Sequence, residues 1–266
     1  MKTTNHFLSA LFVFLLAFST STIFAQDEEV NEPKYLTATT MYWNKNYEGS
    51  PEEWRATEKE YMEKVTSKNE HIMWSGYFTH LFTENSNEVI YVQNYPSWEA
   101  IEKATARNAE LEKEAWPDEE ERKAFLDKMN SAYSIYHSDE IHAIIPGAKY
   151  LEGGMQKDMI MYLRVNKMAY PEDGSFDEFS AFMKKLREEV IYKNEFIKGY
   201  YPSRHAWGND KRDMTEAVLL DSMADLDKMF NRNQELMKEA FTEEEGKAFG
   251  KYYKGHGDYL YTAIKL

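Results

Sequence analysis

Apolar and polar residues along the chain alternate between two periods. Leu36 to Trp43 is rich in Thr, Tyr and Trp and reads as a first strand. Ser50-Pro51-Glu52-Glu53 then supplies a capping Ser, a Pro at the first helical position and a reciprocal Glu. Trp54, Tyr61 and Val65 follow at helical spacing, and the helix is expected to end near Asn69. From Ile72 to Phe82 the period returns to two, which places Ile72, Trp74, Gly76, Phe78, His80 and Phe82 on one face of a second strand. Asn85-Ser86-Asn87 predicts a hairpin loop and Val89 to Tyr95 a third strand. Ser97 opens a second helix that runs to about Ala115. Pro117-Asp118-Glu119-Glu120-Glu121 starts a third, with acidic residues suited to a helix N-terminus. Ile141 to Ile145 closes the series as a strand.

The series then comes back. Shifted by 125 positions, Ser50 to Trp116 falls on Ser175 to Phe241. Arg107-Asn108 falls on Arg232-Asn233, Lys68-Asn69-Glu70 on Lys193-Asn194-Glu195, His80 on His205 and Ser97 on Ser222. A sustained register of this length marks an internal duplication. Ser175-Phe176-Asp177-Glu178 repeats the capping pattern. Phe179, Phe182, Leu186 and Val190 repeat the helical stripe, Ile197 to Trp207 the second strand, and Gly208-Asn209-Asp210 the hairpin loop. Ala217 to Leu220 matches the third strand, Ser222 caps the second helix, and Thr242-Glu243-Glu244-Glu245 starts the third. The last strand, Leu260 to Ile264, follows at a register of 119, which also aligns His137-Ser138-Asp139 with His256-Gly257-Asp258.

The first strand finds its counterpart in Met159 to Val165, each followed by Asn (Asn44, Asn166). In this match Met41 and Trp43 correspond to Leu163 and Val165, and Thr40 and Tyr42 to Tyr162 and Arg164. Each module therefore reads β-α-β-β-α-α-β, a ferredoxin-like split βαβ unit with an extra helix. The expected organisation is a leader at 1–25, a disordered acidic lead-in at 26–34, a first module at 35–146, a glycine-containing linker at 147–157 and a second module at 158–266. The fold class is α+β. Helices cover one face of each four-stranded antiparallel sheet, and the two bare faces pair into an intramolecular α/β barrel.

Composition narrows the function classes. Phe7 to Phe18 is apolar but too short to span a bilayer, and Ser19 to Ala25 offers small residues before Gln26, so 1–25 reads as a cleaved secretory signal. The chain is expected to be exported, to a periplasmic or extracellular compartment, and to keep no membrane attachment after cleavage. It has no cysteine, which removes disulfides, thiolate metal sites and thiol nucleophiles. The net charge is −14, and loss of Lys2 with the leader takes it to −15. That balance argues against nucleic acid as a partner, which requires a basic face. No glycine-rich phosphate loop, G-x-S-x-G or H-E-x-x-H is present.

Polar residues repeated by the duplication are the candidates for chemistry. His80 and His205 lie on otherwise apolar or aromatic strand faces. They read either as a cavity-facing catalytic pair or as two core histidines held by backbone carbonyls. His137 with Asp139, and His256 with Asp258, are spaced so that a carboxylate can orient an imidazole, or so that Asp caps a loop-to-strand junction. Four His and two Asp would make a metal site only if the strands converged, and none is assigned. Tyr42, Tyr77, Tyr162, Arg164, Tyr201, His142 and Tyr261 are expected along the mixed faces as ligand-contacting or core residues. Arg107-Asn108 and Arg232-Asn233 read as ties between helix and strand.

On element order, module length and fusion, residues 35 to 266 resemble the dimeric α/β-barrel superfamily in its fused form. That group includes antibiotic-biosynthesis-type monooxygenases, EthD- and NIPSNAP-like proteins, stress-responsive barrel proteins and chlorite dismutase relatives. The resemblance implies a small-molecule site between the modules. It leaves two readings: a binding barrel for a small, partly aromatic or apolar ligand, and a cofactor-free or haem-linked enzyme of monooxygenase or isomerase type using a cavity His. The cofactor is open. So is the choice between a monomer, with its internal pseudo-dimer, and a homodimer.

Overall fold

A computed structural model describes residues 32–266; the leader read at 1–25 lies outside the described residues, as does most of the acidic lead-in. Lys34 is already tied into the sheet, its N–H to the Tyr95 carbonyl and its carbonyl to the Ile144 N–H. The first module comprises β1 (Tyr35–Trp43), α1 (Pro51–Lys64), β2 (Trp74–Phe82), β3 (Glu88–Tyr95), α2 (Trp98–Ala115), α3 (Glu119–Ser131) and β4 (Tyr133–Ile144). The second comprises β5 (Met159–Met168), α4 (Phe176–Leu186), β6 (Gly199–Trp207), β7 (Asp213–Leu220), α5 (Ala224–Ala240), α6 (Glu243–Gly250) and β8 (Tyr253–Ile264). The eight strands close in the order β1-β3-β2-β8-β5-β7-β6-β4, all neighbours antiparallel. The modules meet at two seams on opposite sides of the ring, β2–β8 and β4–β6. Pro33–Leu266 forms one compact unit because the barrel belongs to both modules.

The pairing register carries the duplication. Tyr35 faces Tyr95 and Ile160 faces Leu220; Trp74 faces Asn94 and Gly199 faces Leu219. Each residue moves by 125. The same shift therefore governs the first strands, and Tyr42 corresponds to Lys167 rather than to Arg164. The Asn44–Asn166 match is out of phase by an odd number, and an odd slip along a strand exchanges its two faces.

Two apolar layers result. Phe78, Met159, Met161, Leu219, Tyr261 and Ala263 pack together with Ile90 and Val92 inside the ring. Trp54 of α1 packs with Tyr77, Val89 and Ile264 on the outside, and Met229 of α5 with Tyr162, Tyr200, Val218 and Leu220. Away from the β-bulges in β2, β4, β6 and β8, period-two alternation then fixes the facing of the other strand residues.

The helices begin much as expected. Ser50 and Thr242 make complete capping boxes, and Ser97 and Asp118 cap α2 and α3. Ser175 accepts from the Glu178 N–H, but the Glu178 carboxylate turns instead to Tyr252 and Lys251, so this box is half formed. Ser222 does not cap α5; its hydroxyl donates to the Asp225 carboxylate. The closing strands start earlier than Ile141 and Leu260, at Tyr133 and Tyr253, because their first halves are polar, exposed on several positions and lack a clear apolar stripe.

The repeated Asn and Arg form the same latch twice. Asn69 Nδ2 donates to the Ala104 carbonyl and Asn108 Oδ1, while its Oδ1 accepts from the His71 N–H. Asn194 does the same with Met229, Asn233 and Phe196. Arg107 bridges to Glu70, and Arg232 to Glu195. These side chains tie the second helix to the segment following the first helix rather than to a strand.

Gly208, after β6, holds φ at 119°, and a Cβ there would lie 3.2 Å from the Asp139 carbonyl oxygen. Gly208→Ala is expected to cost about 1–3 kcal/mol from backbone strain. Thermal unfolding checks this, with a fall of several degrees expected at about 2–4 °C per kcal/mol for a chain of this size.

Candidate functional site

The two ends of the barrel differ. At the end where β1, β2, β5 and β6 begin, the linker folds across: Lys149 pairs with Tyr200, and Leu151 and Met155 pack on the interior cluster. Tyr201, expected to contact ligand, uses its hydroxyl to accept from the Leu151 N–H at 3.0 Å. Polar interior residues collect at the other end, and an open depression of about 580 Å³ lies there on the β2–β8 seam.

That depression is lined by His80, Phe82, Thr83, Glu84, Asp258 and Tyr259 among others. His80 is fixed by its neighbours. Thr83 Oγ1 donates to the Asn85 carbonyl at 3.1 Å, so it accepts from His80 Nδ1 at 2.8 Å. The neutral ring then carries its lone pair on Nε2. Beside it, Tyr261 donates to Glu88 at 3.1 Å; burial first, then the Glu88 charge, pushes the Tyr261 hydroxyl far above its ordinary range. Tyr42 stands on the same interior face, paired with Glu88.

The opposite seam has different chemistry. His142, buried on β4, lies 3.1 Å from Glu140 Oε2 through Nε2 and 3.2 Å from Ser203 Oγ through Nδ1. Ser203 Oγ is 2.6 Å from Thr215 Oγ1. A carboxylate only accepts, so the chain runs Thr215 to Ser203 to His142 to Glu140. The hydrogen bond from His142, chiefly, holds the Glu140 carboxyl below its ordinary value despite burial. His205 pairs with His142 across the seam, and its Nε2 is buried without a hydrogen-bond partner. Lys167 pairs with Asp213 at 2.5 Å on the neighbouring strands. A β-bulge directly follows His80 and His205 alike, at Leu81 and Ala206; bulges recur beside sites because they re-aim a side chain.

The seams are thus related by duplication but unlike in lining. Ser203 and Thr215 occupy the positions of Phe78 and Ile90, Lys167 and Asp213 those of Tyr42 and Glu88, and His142 and Glu140 those of Tyr261 and Tyr259. One lobe is aromatic and the other polar.

The remaining predicted residues lie on the outer surface, and of these only Asp258 also borders the depression that His80 lines. Tyr77 faces the helices and donates to Glu58 at 2.6 Å. Tyr162 also faces the helices, donating to Asp258 at 2.5 Å, with burial raising its hydroxyl first. His137 and Asp139 extend along outer β4, 3.2 Å apart, with Thr39 donating to Asp139. His256 Nε2 lies within 2.7 Å of Arg164 and 3.1 Å of Asp258. A guanidinium can only donate, so Nε2 is the acceptor, and Asp258 is held by Tyr162 rather than by the ring. Tyr77, Tyr162 and Arg164 do not share a cavity face, contrary to expectation: strand alternation turns them away from the interior. The two histidine pairs do not converge with His80 and His205, and among the described residues no three His, Asp or Glu gather as a metal cluster.

Glu140, Thr215, Lys167 and Asp213 are not singled out by sequence. Ser203 is legible in the β6 stripe with Tyr201 and His205. Glu140 is hidden because the apolar run that marks β4 begins one residue later, at Ile141. The barrel interior leaves no room for a haem beside His142. Phe78, Met161, Leu219 and Tyr261 fill the interior with at most 9% of any of them exposed, and both nitrogens of His142 are engaged.

No protein-family model matches the chain, and no curated protein matches it. Solved structures do. A candidate monooxygenase from Lactobacillus acidophilus NCFM aligns with TM-score 0.57 at 10% identity, covering 88% of this chain and 94% of its own. One from Fusobacterium nucleatum subsp. nucleatum ATCC 25586 aligns at 0.56 and 10%, covering 88% and 93%. A variant chlorite dismutase from Candidatus Nitrospira defluvii aligns at 0.52 and 9%, covering 88% and 92%. At such identities the likeness concerns the fold alone: a closed ring of eight antiparallel strands built from two ferredoxin-like halves, both supplied by one polypeptide.

Proposed function

We propose that the open end of the barrel binds a small, partly aromatic molecule, in a protein exported by the leader at 1–25. The observation that carries this reading is the depression of about 580 Å³ on the β2–β8 seam, at the one end the linker does not cross. Phe82 and Tyr259 offer ring faces, and His80 Nε2 offers a hydrogen-bond acceptor fixed in direction by Thr83. The lining sets Leu81, Phe82 and Tyr259 beside the polar His80, Thr83, Glu84 and Asp258, so ring contact and hydrogen bonding are both available to a small molecule.

Phe82 is 64% exposed, so its truncation leaves the core intact. With indole and 2-naphthol as probes in ligand-observed NMR, Phe82→Ala and His80→Ala are each expected to weaken binding about tenfold, roughly 1.4 kcal/mol. Thermal unfolding of Phe82→Ala should stay within about 2 °C of the parent, since surface changes stay near ±0.5 kcal/mol. Probes that fail to bind, or that bind both variants as well as the parent, would remove this site.

A second reading, a cofactor-free barrel enzyme, is favoured by one observation: the ordered chain Thr215–Ser203–His142–Glu140 reaches the same end of the barrel. A carboxylate-oriented imidazole is the arrangement used to move a proton.

A further inference from the structure

We propose that the polar lobe on the β4–β6 seam is a second subsite, which selects a neutral hydroxyl group on the bound molecule through Nε2 of His205. This rests on ligand binding at the open end and adds the chemical class that the far side of the mouth accepts.

His205 Nε2 is buried and unpartnered, while the polar side chains named around it are committed to one another. His142 is held at both nitrogens, Ser203 and Thr215 are held by each other, and Lys167 is held by Asp213. Leaving a buried polar atom unmet is costly, and a ligand group that meets it recovers that cost. His80, at the equivalent position, has its Nδ1 satisfied by Thr83 and its Nε2 in the open depression, so a buried unmet nitrogen belongs to this lobe.

Charge then limits what can meet it. Glu140, Asp213 and Asp210 are the carboxylates on this side, Lys167, which both aspartates engage, is the ammonium, and Glu140 feels both Lys167 and His205. With Lys167 engaged by Asp213, the Glu140 carboxylate dominates, and an anionic ligand is repelled. A neutral group remains. A hydroxyl both donates and accepts, so it satisfies Nε2 in either imidazole tautomer. An ether satisfies only one, and only as an acceptor.

The test uses the leaderless chain with three probes of similar size: cyclohexanol, cyclohexyl methyl ether and cyclohexanecarboxylate. Titrations follow the imidazole nitrogen shifts of His205 by NMR. Cyclohexanol is expected to move the Nε2 signal and bind at least tenfold more tightly than the ether, with the carboxylate weakest. His205→Phe should erase the preference for alcohol over ether while His205→Gln keeps it, with thermal unfolding confirming that both variants fold. Equal binding of alcohol and ether to the parent, with indole still bound, would overturn hydroxyl selection and leave the aromatic site standing. So would an alcohol preference that survives in His205→Phe, or a carboxylate that binds best. If none of the three probes nor indole binds, both readings fall.

Discussion

Glu58→Met is expected to destabilise the protein most in mild acid and progressively less as pH rises. Glu58 is 2% exposed between α1 and the first sheet, and accepts from Tyr77 at 2.6 Å and Tyr133 at 2.7 Å. Trp54 Nε1 donates in turn to Tyr133 at 2.8 Å. Burial, more than any other cause, pushes the Glu58 carboxyl up, and the hydrogen bonds from the two tyrosines only partly oppose it. The folded state therefore holds this proton to a higher pH than the unfolded chain does. Its stabilising contribution is whole below the unfolded value of about 4.3 and is lost as pH rises through the folded one. Met, the residue at the equivalent position 183, fills the space without titrating. It also leaves the Tyr77 hydroxyl without an acceptor and Tyr133 with nothing to donate to, a cost of about 2–4 kcal/mol in acid. Adding Tyr77→Phe should return about 1 kcal/mol or more, because removing both partners is far milder than removing one. Urea unfolding of the parent, single and double variants from pH 4 to 9 gives the comparison. Other carboxylates cancel between them, so a difference that stays flat or grows with pH would refute the account.

Asn194→Ala is expected to lower stability by about 2–3 kcal/mol, which is about 4–12 °C in thermal unfolding. Asn194 is fully buried and makes three hydrogen bonds at 2.8 to 3.0 Å, to Met229, Asn233 and Phe196. The Met229 carbonyl lies within α5, so the main loss is the Phe196 N–H, which has no second acceptor, together with the cavity left by the amide. Asn194→Asp should be no better. It keeps the acceptor for Phe196 but sets a carboxylate against the Met229 carbonyl and Asn233 Oδ1. Asn69→Ala, in the other copy of the latch, should repeat the loss, and the two should add because they lie in separate modules. A change under about 0.5 kcal/mol at both positions would mean that the repeated Asn is not structural.

The candidate site was legible in parts. His80 and His205 stood out because the duplication repeats them on period-two stripes, and the structure places both at the open end beside matching bulges. Glu140 and His142 were separable from the polar run before them only once β4 was seen to begin at Tyr133. Their partners Ser203 and Thr215 lie on other strands, and no local spacing joins β4 to β6 and β7. The closing of one barrel end by Leu151 and Met155 was likewise outside the reach of pattern, since a glycine-containing linker reads the same whether it crosses a barrel end or loops into solvent.

Element order, the duplication and the one-sided placement of helices follow from the chain by itself, because capping residues, period and the shift of 125 act over short or repeated stretches. What tertiary structure alone decided is which strand face points inward. In this architecture both faces are covered, one by helices and the other by the opposite module, so both carry apolar residues and alternation does not tell them apart. Tyr42 and Tyr77 look alike in the sequence; closure of the ring sends Tyr42 to the mouth beside Glu88 and Tyr77 to the buried carboxylate of Glu58.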